Sequence, residues 1–235
     1  MRYAIHFTPS PNDPLTHAAA AWLGRDVYSG QSVEPPPSVL LGMQEISYHT
    51  ALPRRYGFHG TLKAPFRLAE GVSEAALLRE LMCFAGTHQP FSLPPLEIAK
   101  LGNIFGLVPE WPCETLNFLA ASVVQEFDRF RAPLSEAEIE LRDPDGLTAP
   151  QFNNLHRWGY PYVMDEFRFY MTLTGRVSGR DAQRFEAALH DFFDPVLAEP
   201  VEMANLALFV EEEQGAPFRV HSLHPMGIVS ARKSA

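Results

Sequence analysis

The chain has 235 residues, of which 46% are hydrophobic and 20% charged, and its formal net charge at pH 7 is -9. These fractions are typical of a folded globular protein. The acidic balance argues against binding to long nucleic acid, because that binding needs a basic surface to neutralise phosphates. The sequence has no apolar run near the roughly 20 residues that cross a bilayer, so we expect a cytoplasmic protein without membrane contact. Two well-separated cysteines predict neither a disulfide framework nor a metal site, and no feature indicates an oligomeric state.

The hydrophobic pattern alternates between a period of two and a helical period. In chain order, we predict a strand at 2–8, a helix at 15–23, a loop-rich stretch at 28–49, a strand within 54–68, a helix that begins after Ser73, strands at 91–98 and 104–108, a helix at 113–130, a short helix at 151–158, a strand at 166–175, a helix at 178–193, strands at 201–210 and 218–223, and a frayed end at 230–235.

This order predicts an α+β fold. Each half of the chain has a strand with a row of polar residues, then an amphipathic helix, then two strands. We therefore expect two pseudo-symmetric lobes of antiparallel sheet with flanking helices around a central cleft. The whole chain, 1–235, would be a single bilobal domain in which lobe one carries the His59 strand and lobe two the Tyr170 strand.

The two polar rows indicate a site for an anion. Side chains two residues apart share one face of a strand, about 7 Å from each other. The first row is His59, Thr61 and Lys63, and the second is Arg168, Tyr170, Thr172 and Thr174. Two such strands that meet across a groove could surround a phosphate, with hydroxyls bonding its oxygens and a histidine close enough to move a proton.

The His-x-Thr pattern is too common to establish this site alone. It occurs twice, at His6-Phe7-Thr8 and at His59-Gly60-Thr61, and nine histidines give roughly one match by chance. Each residue also has a structural interpretation: the threonines as ordinary strand residues, Tyr170 as an aromatic at a sheet edge, and the cations as solvated charges.

Two segments resemble a known family. "RRYGFHGTLKAPFRL" (54–68) and "GYPYVMDEFRFYMTLTGR" (159–176) resemble the signature segments of the DUF1045 family, which is associated with bacterial phosphonate-utilisation operons and is similar to the 2H phosphoesterase superfamily. "RYAIHFTP", "AAAWLGRD" and "GAPFRV" extend the resemblance over nearly the whole chain. It implies two lobes that each supply a His-x-Thr/Ser motif, with paired histidines as general base and acid, hydroxyls that hold the phosphate, and no metal or cofactor.

The second motif departs from the family pattern. His59 and Thr61 match the first motif and Thr172 matches the second, but Tyr170 stands where the second histidine should be. A tyrosine, with a reference pKa near 10, could donate a proton but could not accept one at neutral pH. The resemblance therefore implies His59 as base, Tyr170 as a weak acid, and Thr61 and Thr172 as phosphate ligands.

The resemblance implies a small phosphorylated ligand, and we expect Lys63, Arg168 and Thr174 to contact it. The expected activity is that of a phosphoesterase on a small cyclic phosphate or phosphodiester in phosphonate metabolism. Two alternatives stay open: a phosphate-binding protein that has lost turnover, and an RNA 2′,3′-cyclic phosphodiesterase-like protein. Also open are whether the protein is an enzyme at all and whether His6 reaches the site in place of the missing histidine.

Overall fold

The computed structural model describes residues 1–36 and 38–227, so the expected frayed end lies outside the described residues. The described residues form eight α-helices and nine strands. The helices are α1 (Pro14–Leu23), α2 (Met43–His49), α3 (Ala51–Tyr56), α4 (Glu74–Thr87), α5 (Glu114–Glu126), α6 (Glu136–Glu140), α7 (Ala149–Trp158) and α8 (Ala182–Leu197). The strands are β1 (Arg2–Phe7), β2 (Gly60–Phe66), β3 (Phe91–Ser92), β4 (Leu96–Leu101), β5 (Ile104–Pro109), β6 (Met171–Thr172), β7 (Glu202–Met203), β8 (Asn205–Glu211) and β9 (Arg219–Pro225).

Seven strands form one sheet in the order β4-β5-β6-β2-β1-β8-β9, and each neighbouring pair is antiparallel. Strands β3 and β7 form a separate two-stranded ribbon. The expected α+β class, with a large antiparallel sheet and flanking helices, is confirmed. The two halves of the chain interleave in this sheet, because β6 lies between β5 and β2 and β8 lies beside β1. The division into two lobes stays a prediction.

The main core lies between the sheet and its helices. Helix α5 packs on β2, α4 on β9 and β8, and α8 on β4. Alternate residues of β1, including Ile5 and Phe7, belong to this core. Their neighbour Ala4 belongs instead to a smaller apolar cluster on the opposite face with Val27 and Phe209. The sheet is thus covered on both faces near β1, and the face that holds Ala4 and Phe209 also carries His6 and His59.

The helix ends follow the signals in the sequence. The Asp13 carboxylate accepts from the Leu15 N–H at 2.8 Å at the start of α1, and Gly24, with a φ of 76°, ends it. The predicted cap at Ser73 is confirmed, since its hydroxyl accepts from the Ala76 N–H. In contrast, the predicted loop-rich stretch contains α2. Among the described residues, no helix is both long and apolar enough to cross a membrane.

The predicted strand at 166–175 is paired only over Met171–Thr172. Residues Met164–Glu166 form a 3₁₀ turn, and the chain then runs toward β6 without a ladder partner. Its side chains still alternate, because Phe167, Phe169 and Met171 are buried whereas Arg168 is exposed and Tyr170 half-buried. The period of two therefore predicted correctly which side chains are buried from Phe167 to Met171, but it failed at the buried Thr174 and overstated the pairing of the strand.

Candidate functional site

The register of β2 and β6 brings the two predicted motifs together. Gly60 pairs with Met171 in an antiparallel ladder. Continued by one residue in each direction, this register sets Thr61 opposite Tyr170 and His59 opposite Thr172. Directly opposed Cα atoms in such ladders are about 4.5 to 5.5 Å apart. All four side chains are half-buried, as expected at a site that is open to a ligand.

Gly60 allows this close approach. A Cβ at this position would lie 2.2 Å from Cε2 and 2.5 Å from Cζ of Phe169. The Phe169 ring therefore packs directly against the backbone between His59 and Thr61, which only glycine permits. On the other side of β6, a Cβ on Gly106 would lie 3.0 Å from the Met171 carbonyl oxygen. Glycines on the two neighbouring strands, β2 and β5, thus set the position of β6 in the sheet.

His59 is held in one tautomer. Its Nδ1 lies 2.8 Å from the carbonyl oxygen of Gly57. A carbonyl can only accept a hydrogen bond, so Nδ1 carries the proton and Nε2 keeps its lone pair. Burial lowers the pKa of His59 to about 4, and the bond to Gly57 opposes that change. At neutral pH the ring is therefore uncharged, with Nε2 available as a base.

His6 lies beside His59 on the same face of the sheet. His6 pairs with Thr61 and Phe7 with Gly60, so Thr8 lies opposite His59. The rings of His6 and His59 stack, with centroids 4.0 Å apart and an angle of 26° between their planes. His6 and Thr8 are almost completely buried. The sequence signal for this pair was the second His-x-Thr, but only the strand pairing shows that the two motifs are neighbours.

Tyr170 and Thr61 line a cleft. The cleft is narrow and partly open to solvent, and Tyr160, Tyr162 and Arg168 also line it. Burial, together with nearby Tyr162, raises the pKa of Tyr170 above its usual value. Burial, with Tyr170 as a second cause, also raises the pKa of Tyr160. These hydroxyls stay protonated at neutral pH, so they can donate hydrogen bonds but cannot act as bases.

Arg168 lies at the rim of this cleft, as its position in the polar row predicts. It is exposed. Its Nη1 donates to the carbonyl oxygens of Phe167 at 2.6 Å and Asp165 at 3.2 Å. Both partners are neutral, so the positive charge of the guanidinium is not cancelled by them.

Lys63 does not share a face of the sheet with His59 and Thr61, although it lies two residues after Thr61. Irregularities in the β1–β2 ladder shift the register, so that Lys63 pairs with Ile5 although Thr61 pairs with His6. Its Nζ lies 3.3 Å from the Val124 carbonyl oxygen and 3.5 Å from Oδ1 of Asp128, at the end of α5. The side chain is 3% exposed, and burial lowers its pKa to about 8. Lys63 thus joins β2 to α5, and its contact with a substrate stays a prediction.

Thr174 does not lie on the polar face either. Its hydroxyl accepts a hydrogen bond from the Phe105 N–H at 2.9 Å. Since the residue has no exposed surface, its observed role is to fix the end of β6 against β5. A substrate contact by Thr174 also stays a prediction.

In the described ranges, no group of three or more His, Cys, Asp or Glu residues is arranged to hold a metal ion. The chemistry that the site residues themselves offer is a base at His59, hydroxyl donors at Thr61, Thr172 and Tyr170, and the charge of Arg168 at the rim. This set suits an anionic ligand with several oxygens, such as a phosphate ester.

A family model described as "Protein of unknown function (DUF1045)" matches residues 61–219. The chain belongs to this family. The match begins at Thr61 and includes Tyr170 and Thr172, so it spans most of the candidate site. The expected membership of the DUF1045 family is confirmed, whereas the replacement of a catalytic histidine by Tyr170 stays an interpretation.

Two curated relatives carry the name "Ribose 1,5-bisphosphate phosphokinase PhnN". The protein from Janthinobacterium sp. (strain Marseille) is 39% identical over 226 residues, which are 92% of this chain and 49% of that protein. The protein from Laribacter hongkongensis (strain HLHK9) is 37% identical over 220 residues, 94% of this chain and 50% of that protein. The chain therefore spans about half the length of the curated relatives it matches.

A solved structure named "Crystal structure of phosphoesterase" is similar over 96% of this chain and 98% of its own, with a TM-score of 0.42 and 12% sequence identity. Similarity at this level does not bear on the chemistry of the site.

Proposed function

We propose that this protein is a 2H-type phosphoesterase that hydrolyses a small cyclic phosphate or phosphodiester. The observation that carries this proposal is the register of β2 and β6, which sets His59 opposite Thr172 and Thr61 opposite Tyr170. The fixed tautomer of His59 supports it, because a base needs a free lone pair and Nε2 has one.

The proposed reaction is the addition of water across a P–O ester bond. The hydroxyls of Thr61 and Thr172 donate hydrogen bonds to the non-bridging oxygens of the phosphate, and Arg168 offsets charge at the rim. Water attacks phosphorus while its proton passes to Nε2 of His59. The ester P–O bond breaks, and the leaving oxygen takes the proton of the Tyr170 hydroxyl. Transfer of the His59 proton back to Tyr170, directly or through water, restores the starting state.

The substrate class is proposed from the relatives. They share this segment and carry the name of a kinase for a ribose bisphosphate, although the name does not say which half of each protein is responsible. The resemblance to a phosphonate-associated family indicates the same metabolic setting. We therefore propose a cyclic ribose phosphate, of the kind that carbon–phosphorus bond cleavage would release, as the substrate to test first.

A binding protein without turnover is the second candidate, and Tyr170 is the observation that favours it. Burial raises the pKa of this hydroxyl, so it is a weaker acid than an ordinary tyrosine and far weaker than an imidazolium. Loss of an acid–base partner typically costs about 10² to 10⁴ in rate. The same cleft could then hold a phosphate ester without cleaving it.

The test is hydrolysis of a panel of 2′,3′-cyclic nucleotides and cyclic ribose phosphates, followed by ³¹P NMR with a chelator present. We expect chelator-resistant turnover in the wild type, a loss of at least about 10²-fold in His59→Ala, and no change in His17→Ala. His17 is the matched control because it is exposed on α1, a helix that supplies no residue to the candidate site.

A wild type that is folded and inactive on the whole panel would contradict the enzymatic proposal. The binding proposal would then be tested by titration calorimetry with the same cyclic phosphates. It predicts heat of binding in the wild type that disappears in Thr61→Val, which removes one hydroxyl from the cleft and keeps the volume of the side chain.

A further inference from the structure

We propose that His6 is a positioning residue for His59: its ring, supplied by β1, holds the His59 ring in the orientation that leaves Nε2 free as the base. This inference rests on the proposed function of His59. It assigns a functional role to a residue outside the two motifs, on the neighbouring strand.

The strand pairing puts the two histidines in adjoining rows of the same sheet face. His6 is directly opposite Thr61, and Thr8 is opposite His59. The His-x-Thr segments of β1 and β2 therefore run antiparallel, each histidine beside the other segment's threonine. Across the sheet, Thr61 has His6 on one side and Tyr170 on the other.

Three contacts fix the His59 ring. The His6 ring covers one of its faces at a centroid distance of 4.0 Å. Phe209 of β8 contacts both histidines, with centroids 4.9 Å from His6 and 5.6 Å from His59. The Gly57 carbonyl holds Nδ1 at 2.8 Å. Of these, the Gly57 bond alone would still permit the ring to tilt, whereas the stacked His6 ring blocks that motion.

His6 suits this role because it is itself uncharged and buried. It is 1% exposed, and the residues that face it are His59 and Thr61 from β2 and the apolar Ala207 and Phe209 from β8. Burial, with repulsion from His59 as a second cause, keeps the pKa of His6 well below its usual value. The two rings cannot both carry a charge at this distance, so a neutral His6 can act on His59 through contact alone.

Nδ1 of His6 has no hydrogen-bond partner among the described residues. A buried polar atom without a partner destabilises a fold. A phenylalanine at position 6 would keep an aromatic ring against His59 and remove this atom, so His6→Phe is the conservative variant. His6→Ala removes the ring and opens space beside His59.

The experiment measures hydrolysis of the best cyclic phosphate and the ¹⁵N NMR titration of His59 in four proteins: wild type, His6→Ala, His6→Phe and the exposed-histidine control His17→Ala. In His6→Ala we expect kcat to fall by about 10- to 100-fold, since misplacing a reacting group by about 1 Å can cost 10²-fold, with little change in KM. The pKa of His59 should rise from about 4 toward its ordinary value, because water enters the space. In His6→Phe, kcat and the His59 titration should stay close to wild type, and Tm should rise by a few degrees.

Unchanged kcat and His59 titration in a folded His6→Ala would overturn the proposal, and so would His6→Phe behaving like His6→Ala. Detection of the Nε2-protonated tautomer of His59 in the wild type would overturn it without any variant. If the wild type hydrolyses none of the substrates, the proposed function fails, while the NMR titration still decides whether His6 orients His59.

Discussion

Replacing Gly60 with alanine should separate the two central strands. The new Cβ would lie 2.2 Å from Cε2 of Phe169, whereas carbon atoms in contact are about 3.5 to 4.0 Å apart. The ring must therefore retreat by more than about 1 Å. Phe169 is buried and packs near Phe7, with ring centroids 6.2 Å apart, so there is little room for this shift. Overpacking of this kind costs about 1 to 3 kcal/mol.

Thermal unfolding measures this cost. For a chain of this size, 1 kcal/mol corresponds to roughly 2 to 4 °C in Tm, so we expect Gly60→Ala to lower Tm by about 3 to 10 °C. The matched control is Gly86→Ala in α4, where a Cβ would meet no atom within 4 Å. A glycine-to-alanine change inside a helix should stabilise the fold by about 0.5 to 1 kcal/mol. Activity should also fall in Gly60→Ala, because His59 and Tyr170 would no longer be in register.

A double substitution tests the stated cause. If the clash with Phe169 destabilises Gly60→Ala, then Phe169→Leu should relieve part of it, and the two changes should be less than additive by about 1 kcal/mol or more. A Gly60→Ala protein as stable as the wild type, or strictly additive effects in the double variant, would show that the contact between Phe169 and Gly60 does not position β6.

Acidification should destabilise the protein through His59, whose pKa is about 4 in the folded chain and near 6.5 when unfolded. Between these two pH values the folded state binds fewer protons than the unfolded state. The contribution of His59 to the free energy of unfolding is therefore fully present above about pH 6.5 and decreases toward pH 4, by at most about 3 kcal/mol. Urea unfolding of wild type and His59→Gln at about pH 7 and pH 4.5 checks this, and an equal pH dependence in both would contradict it. Glu211→Gln should lower the free energy of unfolding by about 3 kcal/mol, because the fully buried carboxylate accepts hydrogen bonds from Arg2 and Arg55. Glu138→Gln, at a half-exposed pair with Arg67, should cost less than about 1 kcal/mol in the same urea assay, and similar losses in both would exclude burial as the cause.

The sequence predicted the elements well where a local signal exists. The Ser73 cap, the helical periods and the alternation of Phe167, Phe169 and Met171 depend on nearby residues, and the structure shows them, whereas the possible cap at Thr16 is wrong because Asp13 caps α1. It could not predict where alternation breaks. The irregular β1–β2 ladder turns Lys63 toward α5, and the period of two does not show where such an irregularity falls.

In the candidate site, too, the local patterns were predictable from the sequence and the contacts between strands were not. A period of two indicated that His59 and Thr61 share a face, and the resemblance matched them to Thr172. The proximity of His6 to His59 comes from the pairing of β1 with β2, and the tautomer of His59 comes from a carbonyl two residues away whose position depends on the φ of 80° at Gly57. Contacts between strands and backbone directions of this kind leave no periodic trace in a single sequence.

In the proposed function, Tyr170 is the second proton-transfer residue, opposite Thr61 and diagonal to His59 across the β2–β6 pair. The most direct test is the kcat of Tyr170→His and Tyr170→Phe relative to the wild type, on the best cyclic phosphate near neutral pH. We predict that histidine raises kcat by about 10-fold or more, since its pKa is nearer to the working pH, and that phenylalanine lowers kcat. Equal kcat values in all three folded proteins would show that residue 170 takes no part in proton transfer and would contradict the proposed role of Tyr170.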